Sequence, residues 1–273
     1  MPIITLTTDF GMRDPDLGFL KGQILNQIPQ ARLIDVSHRV SAFSPQEAIY
    51  IIENSLKAFP KGSIHLIGID SEISVRQVPI LIVSNDRYYL GNDHGIIPTA
   101  LANSEMTCYR LPYENPDHFL QPHIQAAKQL IQGKMPSEIG RQTSEFNTIL
   151  LSKSLIRHQE HGGKVSLIVP KVIYTDHYGN AIFNLKKEDF ETWQDGRPFK
   201  IKIGHYEINQ LVNYYSDALQ SDKNITADGH IFARFNQFGY FEIFMYKSNQ
   251  VSGGANTLLG LQKNKTVHII FES

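Results

Sequence analysis

The stretch IITLTTDFGMRDPDLGFLKGQILNQIPQARLIDVS, Ile3 to Ser37, decides the fold class. Ile3 to Thr8 is apolar and β-branched, which suits a strand. Asp9 to Pro15 is a turn, with Asp14 at a capping position and Pro15 set to open a helix. Leu17, Leu20, Ile24 and Ile28 then recur at spacings of three and four, which makes one apolar stripe on that helix. Pro29 ends it, and Arg32 to Ser37 reads as a second strand.

The rhythm continues outward. Ser44, Pro45 and Glu47 form a helix start, with Ala48, Ile49, Ile52, Leu56 and Phe59 on the apolar side. Ser63 to Ile69 is a third strand that runs into Asp70. Pro79 to Ser84 and Tyr88 to Leu90 are two more, joined by the turn Asn85-Asp86. Strands separated by helices of this length predict a mostly parallel sheet with helices on both sides. From about Met135 to Gly163 the chain is polar and linker-like, with a helix expected around Phe146 to Gln159. Beyond it lie short extended runs, Val165–Val169, Lys171–Tyr174, Phe199–Ile203, His230–Phe235, Tyr240–Tyr246 and Thr266–Phe271. One short helix is expected near Asn209 to Ser216. The expected architecture is an α/β domain over 1–160 and a smaller β-barrel or sandwich domain over 165–273.

Composition narrows the function classes. The chain has 273 residues, 41% hydrophobic and 19% charged, enough for a substantial core. Lys plus Arg is 26 against 27 for Asp plus Glu, so no basic field points to nucleic acid or an anionic membrane. The single Cys108 excludes an intrachain disulfide. No apolar run is long enough to span a bilayer, and the first residues lack a signal-like core. A cytoplasmic protein is the expectation.

Asp9, Asp35, Asp70 and Asp93 stand at or near predicted strand ends, where open α/β sheets bind ligands. Asp and Gly also form turns for purely local reasons. A carboxylate at Asp9 can accept from the two hydroxyls of a ribose, and Gly11 permits close approach. Asp70 and Arg76 flank one turn and can orient water or a sugar hydroxyl, or form a surface ion pair. In Asp176-His177-Tyr178-Gly179-Asn180, Asn180 can read an adenine edge and Asp176 can receive an ammonium; the same residues also suit an Asx turn. No HExxH, P-loop, GxGxxG or GxSxG motif is present, so no metal is expected.

In this order, LTTDFG (Leu6–Gly11), Lys21-Gly22, IDVSH (Ile34–His38), FSPQEA (Phe43–Ala48), GNDHGII (Gly91–Ile97), TDHYGNAIFN (Thr175–Asn184) and FGYFEI (Phe238–Ile243) resemble the landmarks of the S-adenosyl-L-methionine (SAM) hydrolase family, also called SAM hydroxide adenosyltransferases. SAM-dependent fluorinases and chlorinases are relatives of that family. The resemblance implies an N-terminal α/β domain, a C-terminal β-barrel, and a homotrimer with SAM bound at subunit interfaces. It implies hydrolysis of SAM, as substrate rather than cofactor, to adenosine and L-methionine by water attack at the ribose 5′ carbon. By motif, Asp9 holds the ribose hydroxyls, Phe43 lines the ribose and methionine region, Asp176 takes the methionine ammonium and Asn180 bonds adenine. Asp70 and Arg76 belong to an Asp-Arg-His set that positions water, with His118 as the candidate third member. The charge of Asp70 disfavours a halide held nearby.

The departures fall in the chemical region. The family turn DPGVGT followed by two Arg is here Asp70-Ser71-Glu72-Ile73-Ser74-Val75-Arg76, and Asn115 stands where the family's His is expected. The Asn of the family's PDNG is His94. Two alternatives to hydrolysis follow: a SAM or nucleoside binder without turnover, and adenosyl transfer to a different nucleophile.

Overall fold

In a computed structural model, residues 1–42, 44–71, 77–113, 120–158, 163–219, 229–248 and 253–272 are described. The opening alternation forms β1 (Ile3–Thr8), α1 (Pro15–Gln27) and β2 (Arg32–Ser37), with β1 and β2 parallel. α1 buries the expected stripe of Leu17, Leu20 and Ile24. α2 (Pro45–Ser55) follows Ser44, yet neither Asp14 nor Ser44 makes a side-chain capping bond. Proline at the first helical position already removes one orphan N–H in each helix.

The chain divides into two units, Met1–Leu150 and Leu151–Ser273. Unit one adds β3 (Ile64–Gly68), β4 (Pro79–Ser84), β5 (Arg87–Asn92), α3 (Ile96–Ala100) and β6 (Thr107–Arg110). Then come α4 (Gln121–Ile131), α5 (Pro136–Ile139) and β7 (Arg141–Thr143). Its sheet runs β2-β1-β3-β5-β4-β6-β7. The first three pairings are parallel and the last three antiparallel, so the sheet is mixed rather than mostly parallel. The cause is local. Asn85 and Asp86 both take positive φ (49° and 57°), the geometry of a two-residue hairpin, and this sends β5 back along β4.

Helices cover both faces. On one, Leu20 and Ile24 of α1 and Ile124 and Ala127 of α4 pack on Ile4, Leu6, Ile64 and Leu66. On the other, Ile97 of α3 lies over Gly91, where a Cβ would come within 2.8 Å of its Cδ1. The helix expected around Phe146 to Gln159 does not form over its described part, 146–158. Instead Asn147 N–H donates to Asp93 Oδ1 and Ile149 N–H to Thr99 Oγ1, which holds the segment non-helical before β8 (Leu155–His158).

Unit two continues with β9 (Val165–Val169), β10 (Val172–Thr175), β11 (Ala181–Lys186), α6 (Lys187–Gln194), β12 (Phe199–Ile203) and β13 (Tyr206–Ile208). It ends with β14 (Ile231–Phe235), β15 (Tyr240–Met245), α7 (Ala255–Leu258) and β16 (His268–Phe271). Among the described residues these make two open antiparallel sheets, β10-β11-β15-β14 and β13-β12-β16-β9-β8, without the pairing that would close a barrel. Phe183 and Phe241 of the first sheet and Ile201, Ile269 and Phe271 of the second share one core. The short helix near Asn209 to Ser216 is instead a 3₁₀ turn at Tyr215–Leu219. α6 is not expected from the sequence; its only buried residue is Phe190, so it presents no apolar stripe to read.

Candidate active site

The carboxyl ends of β1 and β3 are adjacent because the two strands pair in register, Thr8 beside Gly68. Asp9 follows Thr8 and Asp70 follows Ile69, so both carboxylates emerge at the same edge. Asp70 N–H donates to Asp9 Oδ2 at 3.1 Å. Gly11 turns the chain away with φ 73°, a conformation that favours glycine, and its N–H donates to the His38 carbonyl at 2.8 Å. That bond ties the exit of β1 to the exit of β2.

A chain of polar groups supports the turn. Thr8 Oγ1 lies 2.8 Å from His38 Nδ1, His38 Nε2 lies 3.0 Å from Asp35 Oδ1, and Lys21 Nζ donates to Asp35 Oδ2 at 2.7 Å. Thr8 and His38 are buried while Asp35 is exposed, so the chain runs from solvent to the base of the Asp9 turn. Burial would raise the Asp35 pKa, but the bonds from Lys21 and His38 outweigh it and hold the carboxyl below its ordinary value.

Asp70 is exposed and takes φ 45°, which costs a non-glycine residue about 1 kcal/mol or more. Gln77 Nε2 donates to Asp70 Oδ2 at 3.3 Å. The loop after β5 closes over this turn. Asn92 Nδ2 donates to the Ser71 carbonyl at 2.9 Å, and His94 Nε2 lies 2.7 Å from the Ile69 carbonyl. Burial lowers the His94 pKa, opposed by the Ile69 carbonyl and by the charges of Asp70, Asp93 and Asp9. Asp93 is itself buried and its pKa is raised by that burial.

Unit two carries its own candidate, in the turn between β10 and β11. Asp176 Oδ1 accepts from Tyr178 N–H and Asn180 N–H, both at 2.9 Å, and Oδ2 accepts from Asn180 Nδ2 at 2.8 Å. This is an Asx turn. Gly179 bends it at φ 80° against Gly254, where a Cβ would meet the Gly254 Cα at 3.1 Å. Asn180 is buried and its Oδ1 has no partner among the described residues. A buried acceptor without a donor costs free energy until something supplies one.

Of the residues singled out by sequence, Asp9 and Asp70 are brought together, and Asp176 and Asn180 are brought together. Phe43, Arg76 and His118 lie outside the described residues. Asp35 is singled out as a strand-end carboxylate, but its links to Lys21, His38 and Thr8 under the Asp9 turn are not foreseen, nor is the contact of His94 with the Asp70 turn. Most of these stand inside quoted motifs, but nothing in their spacing announces the bonds they make. Cys108 is buried, with its thiol pushed up to about 12 mainly by that burial, so it is no nucleophile. Among the described residues no group of three or more His, Cys, Asp or Glu could hold a metal. No helix among them is long and apolar enough to cross a membrane.

Comparison with known proteins gives the family. The profile of the SAM hydroxide adenosyltransferase N-terminal domain matches residues 4–140, and that of the C-terminal domain matches residues 170–268. An (R)-S-adenosyl-L-methionine hydrolase of Methanocaldococcus jannaschii is 26% identical over 289 residues, covering 99% of this chain and 97% of the relative. One from Salinispora tropica is 22% identical over 190 residues, covering 66% of this chain and 70% of the relative. The crystal structure of an uncharacterized conserved protein from Thermotoga maritima shares the fold with a TM-score of 0.78 at 18% identity, covering 98% of this chain and 99% of that one. A conserved hypothetical protein from Thermus thermophilus gives 0.69 at 19% identity, with both chains fully covered.

Proposed function

The chain belongs to the SAM hydroxide adenosyltransferase family, and on that premise we propose that it cleaves SAM with water to give adenosine and L-methionine. The observation that carries the proposal is the pairing of Asp9 and Asp70 at the carboxyl ends of two adjacent parallel strands, joined by the 3.1 Å bond. Two carboxylates that leave the same sheet edge can divide two tasks, one binding a diol and one handling a proton.

Asp9 spends Oδ2 on the peptide and keeps Oδ1 for the ribose hydroxyls. Asp70 is exposed, so water reaches it. Water attacks the ribose 5′ carbon and its oxygen forms the new C–O bond. The C5′–S bond breaks and its electron pair neutralises the sulfonium, which leaves as methionine. Asp70 takes the proton that water loses. The leaving group is already cationic, so no acid is needed to expel it; the work lies in holding oxygen, carbon and sulfur in line. Arg76, His118 and Phe43 complete the proposed set, the first two positioning water and the third lining the sugar.

In unit two, the orphan Oδ1 of Asn180 suits the amino group of adenine. Asp176 accepts three bonds from its own turn and still has acceptor capacity on Oδ2 for the methionine ammonium. The assembly proposed is a homotrimer, testable by sedimentation equilibrium as a mass three times 31.0 kDa.

The test is chromatographic. Purified protein is incubated with SAM and scanned over time for adenosine and methionine. Equimolar release beyond one turnover, abolished by Asp70→Ala, supports hydrolysis. No adenosine above background between about pH 6 and 9, near the range where such groups operate, overturns it in favour of binding or a different nucleophile.

A further inference from the structure

The peptide unit between Ile69 and Asp70 is gripped at both ends. Its carbonyl lies 2.7 Å from His94 Nε2, and its N–H donates to Asp9 Oδ2 at 3.1 Å. A carbonyl only accepts, so Nε2 must carry the ring proton. Ile96 N–H points at Nδ1 from 3.4 Å, so Nδ1 must be the bare acceptor. The backbone on either side of His94 thus selects one neutral tautomer, and neither nitrogen is left to act as a base.

We propose that His94 is a positioning residue for the Asp70 carboxylate, acting through this peptide; the proposal rests on the hydrolytic reading of Asp70. The grip has a polarity. If the peptide flipped, its carbonyl would face the Asp9 carboxylate and its N–H would face the His94 N–H. Acceptor would meet acceptor and donor would meet donor. A flip about ψ of residue 69 and φ of residue 70 is also the motion that would relieve the positive φ of Asp70. His94 and Asp9 therefore hold the one peptide orientation that keeps Asp70 at φ 45°. The carbonyl of Ser71 is tied to Asn92 at the end of β5, so Asp70 leaves its backbone between two fixed points. The groups that act on the imidazole electrostatically are Asp70, Asp93 and Asp9, with His123 beyond. Burial disfavours a charged ring and the three carboxylates favour one; a proton on Nδ1 would in addition oppose the Ile96 N–H.

The experiment uses His94→Leu and His94→Gln, which differ in the amide donor that Gln can bring to the place of Nε2. Steady-state release of adenosine from SAM is measured for both and for the parent chain. His94→Leu is expected to lower kcat about 100-fold, the scale of a misplaced catalytic group, while KM changes little. His94→Gln is expected to recover at least about 10-fold of that loss, one charge-free donor being worth roughly this much. A Leu variant with unchanged kcat, or Gln and Leu variants equally impaired with raised KM and lowered melting temperature, overturns the proposal. If the parent chain itself releases no adenosine, the hydrolytic reading fails, and the grip is judged from the ¹⁵N spectrum of the His94 ring. A bare Nδ1 with a protonated Nε2 at neutral pH upholds it, and the reverse tautomer or a doubly protonated ring overturns it.

Discussion

His94 and Asp9 meet across a single peptide, the imidazole 2.7 Å from the Ile69 carbonyl and the carboxylate accepting the Asp70 N–H at 3.1 Å. The two residues are remote in sequence, yet together they fix the backbone that carries the proposed base. In the proposed site Asp9 thereby has two jobs, one oxygen for the protein and one for the ligand.

Substitution separates those jobs. Asp9→Asn keeps an acceptor for the Asp70 N–H but loses the charge offered to a diol. We expect its affinity for adenosine to fall about 10-fold or more, since a hydrogen bond to a charged group is worth roughly 1.5–3 kcal/mol. Asp70→Ala should leave that affinity within about 3-fold while adenosine release from SAM drops at least about 100-fold. Calorimetry with adenosine, beside turnover assays, reads both. Equal affinity of Asp9→Asn and the parent chain would sink the assignment of the ribose to Asp9.

The buried Thr8–His38 contact predicts a cost in stability. His38→Leu removes the 2.8 Å partner of Thr8 Oγ1, leaving it the longer 3.4 Å bond from Phe10 N–H, and takes one of two partners from Asp35. Stranding a buried hydroxyl costs about 1–3 kcal/mol. Urea unfolding should show that loss as a lower midpoint with unchanged slope. Thr8→Val in the same background should add less than it does alone, because the two share one interaction. Full additivity would show that the contact contributes nothing.

Two buried histidines set the acid limit of the fold. His65 sits wholly inside the sheet, where desolvation lowers its pKa from 6.5 to about 3. His123 on α4 is lowered from 6.5 to about 4, again mainly by burial. Below pH 6.5 the unfolded chain takes up protons that the folded chain refuses. Stability is therefore lost as pH falls from 6.5 toward 4 and is fully regained above 6.5. Each histidine contributes at most about 1.4 kcal/mol per pH unit in that window. His123→Leu should flatten the slope of unfolding free energy against pH, measured by urea titration at about pH 5 to 7, by roughly the share of one histidine. An unchanged slope would mean that His123 takes up its proton equally in the folded and the unfolded chain, so that burial does not exclude it.

Much of this fold is legible in the sequence because its signal is periodic. The stripe Leu17, Leu20, Ile24 names α1 outright, and the flanking β-branched runs name β1 and β2. What the sequence withholds is decided by single backbone angles or by bonds distant in sequence. Asn85-Asp86 is readable as a turn, but only its positive φ values make β4 and β5 antiparallel and the sheet mixed. The segment 146–158 reads as helical, yet Asp93 and Thr99 claim its N–H groups. The site divides the same way. Asp9 and Asp70 stand out as carboxylates after strands, whereas His94 acts on a main-chain carbonyl 25 positions away, a contact that no motif encodes.

Asn180 offers the sharpest test of ligand identity. Its Nδ2 donates to Asp176, and its Oδ1 is buried without a partner among the described residues, so Oδ1 is an acceptor left open to a ligand. Adenine presents an amino donor at position 6, and hypoxanthine presents a carbonyl there. If Oδ1 reads that position, adenosine should bind more tightly than inosine by about 10- to 100-fold, since the wrong partner leaves two acceptors facing in a dry site. Asn180→Asp keeps the shape and the acceptor but sets a carboxylate against Asp176, so it should lose affinity for both nucleosides. Asn180→Ala removes the reader, and the preference for adenosine should shrink below about 3-fold, well under the worth of one buried hydrogen bond. Competition binding with the two nucleosides against the parent chain and Asn180→Ala gives the ratio directly. A preference that survives intact in Asn180→Ala would move adenine recognition elsewhere and leave the 176–180 turn with the structural role its hydrogen bonds already display.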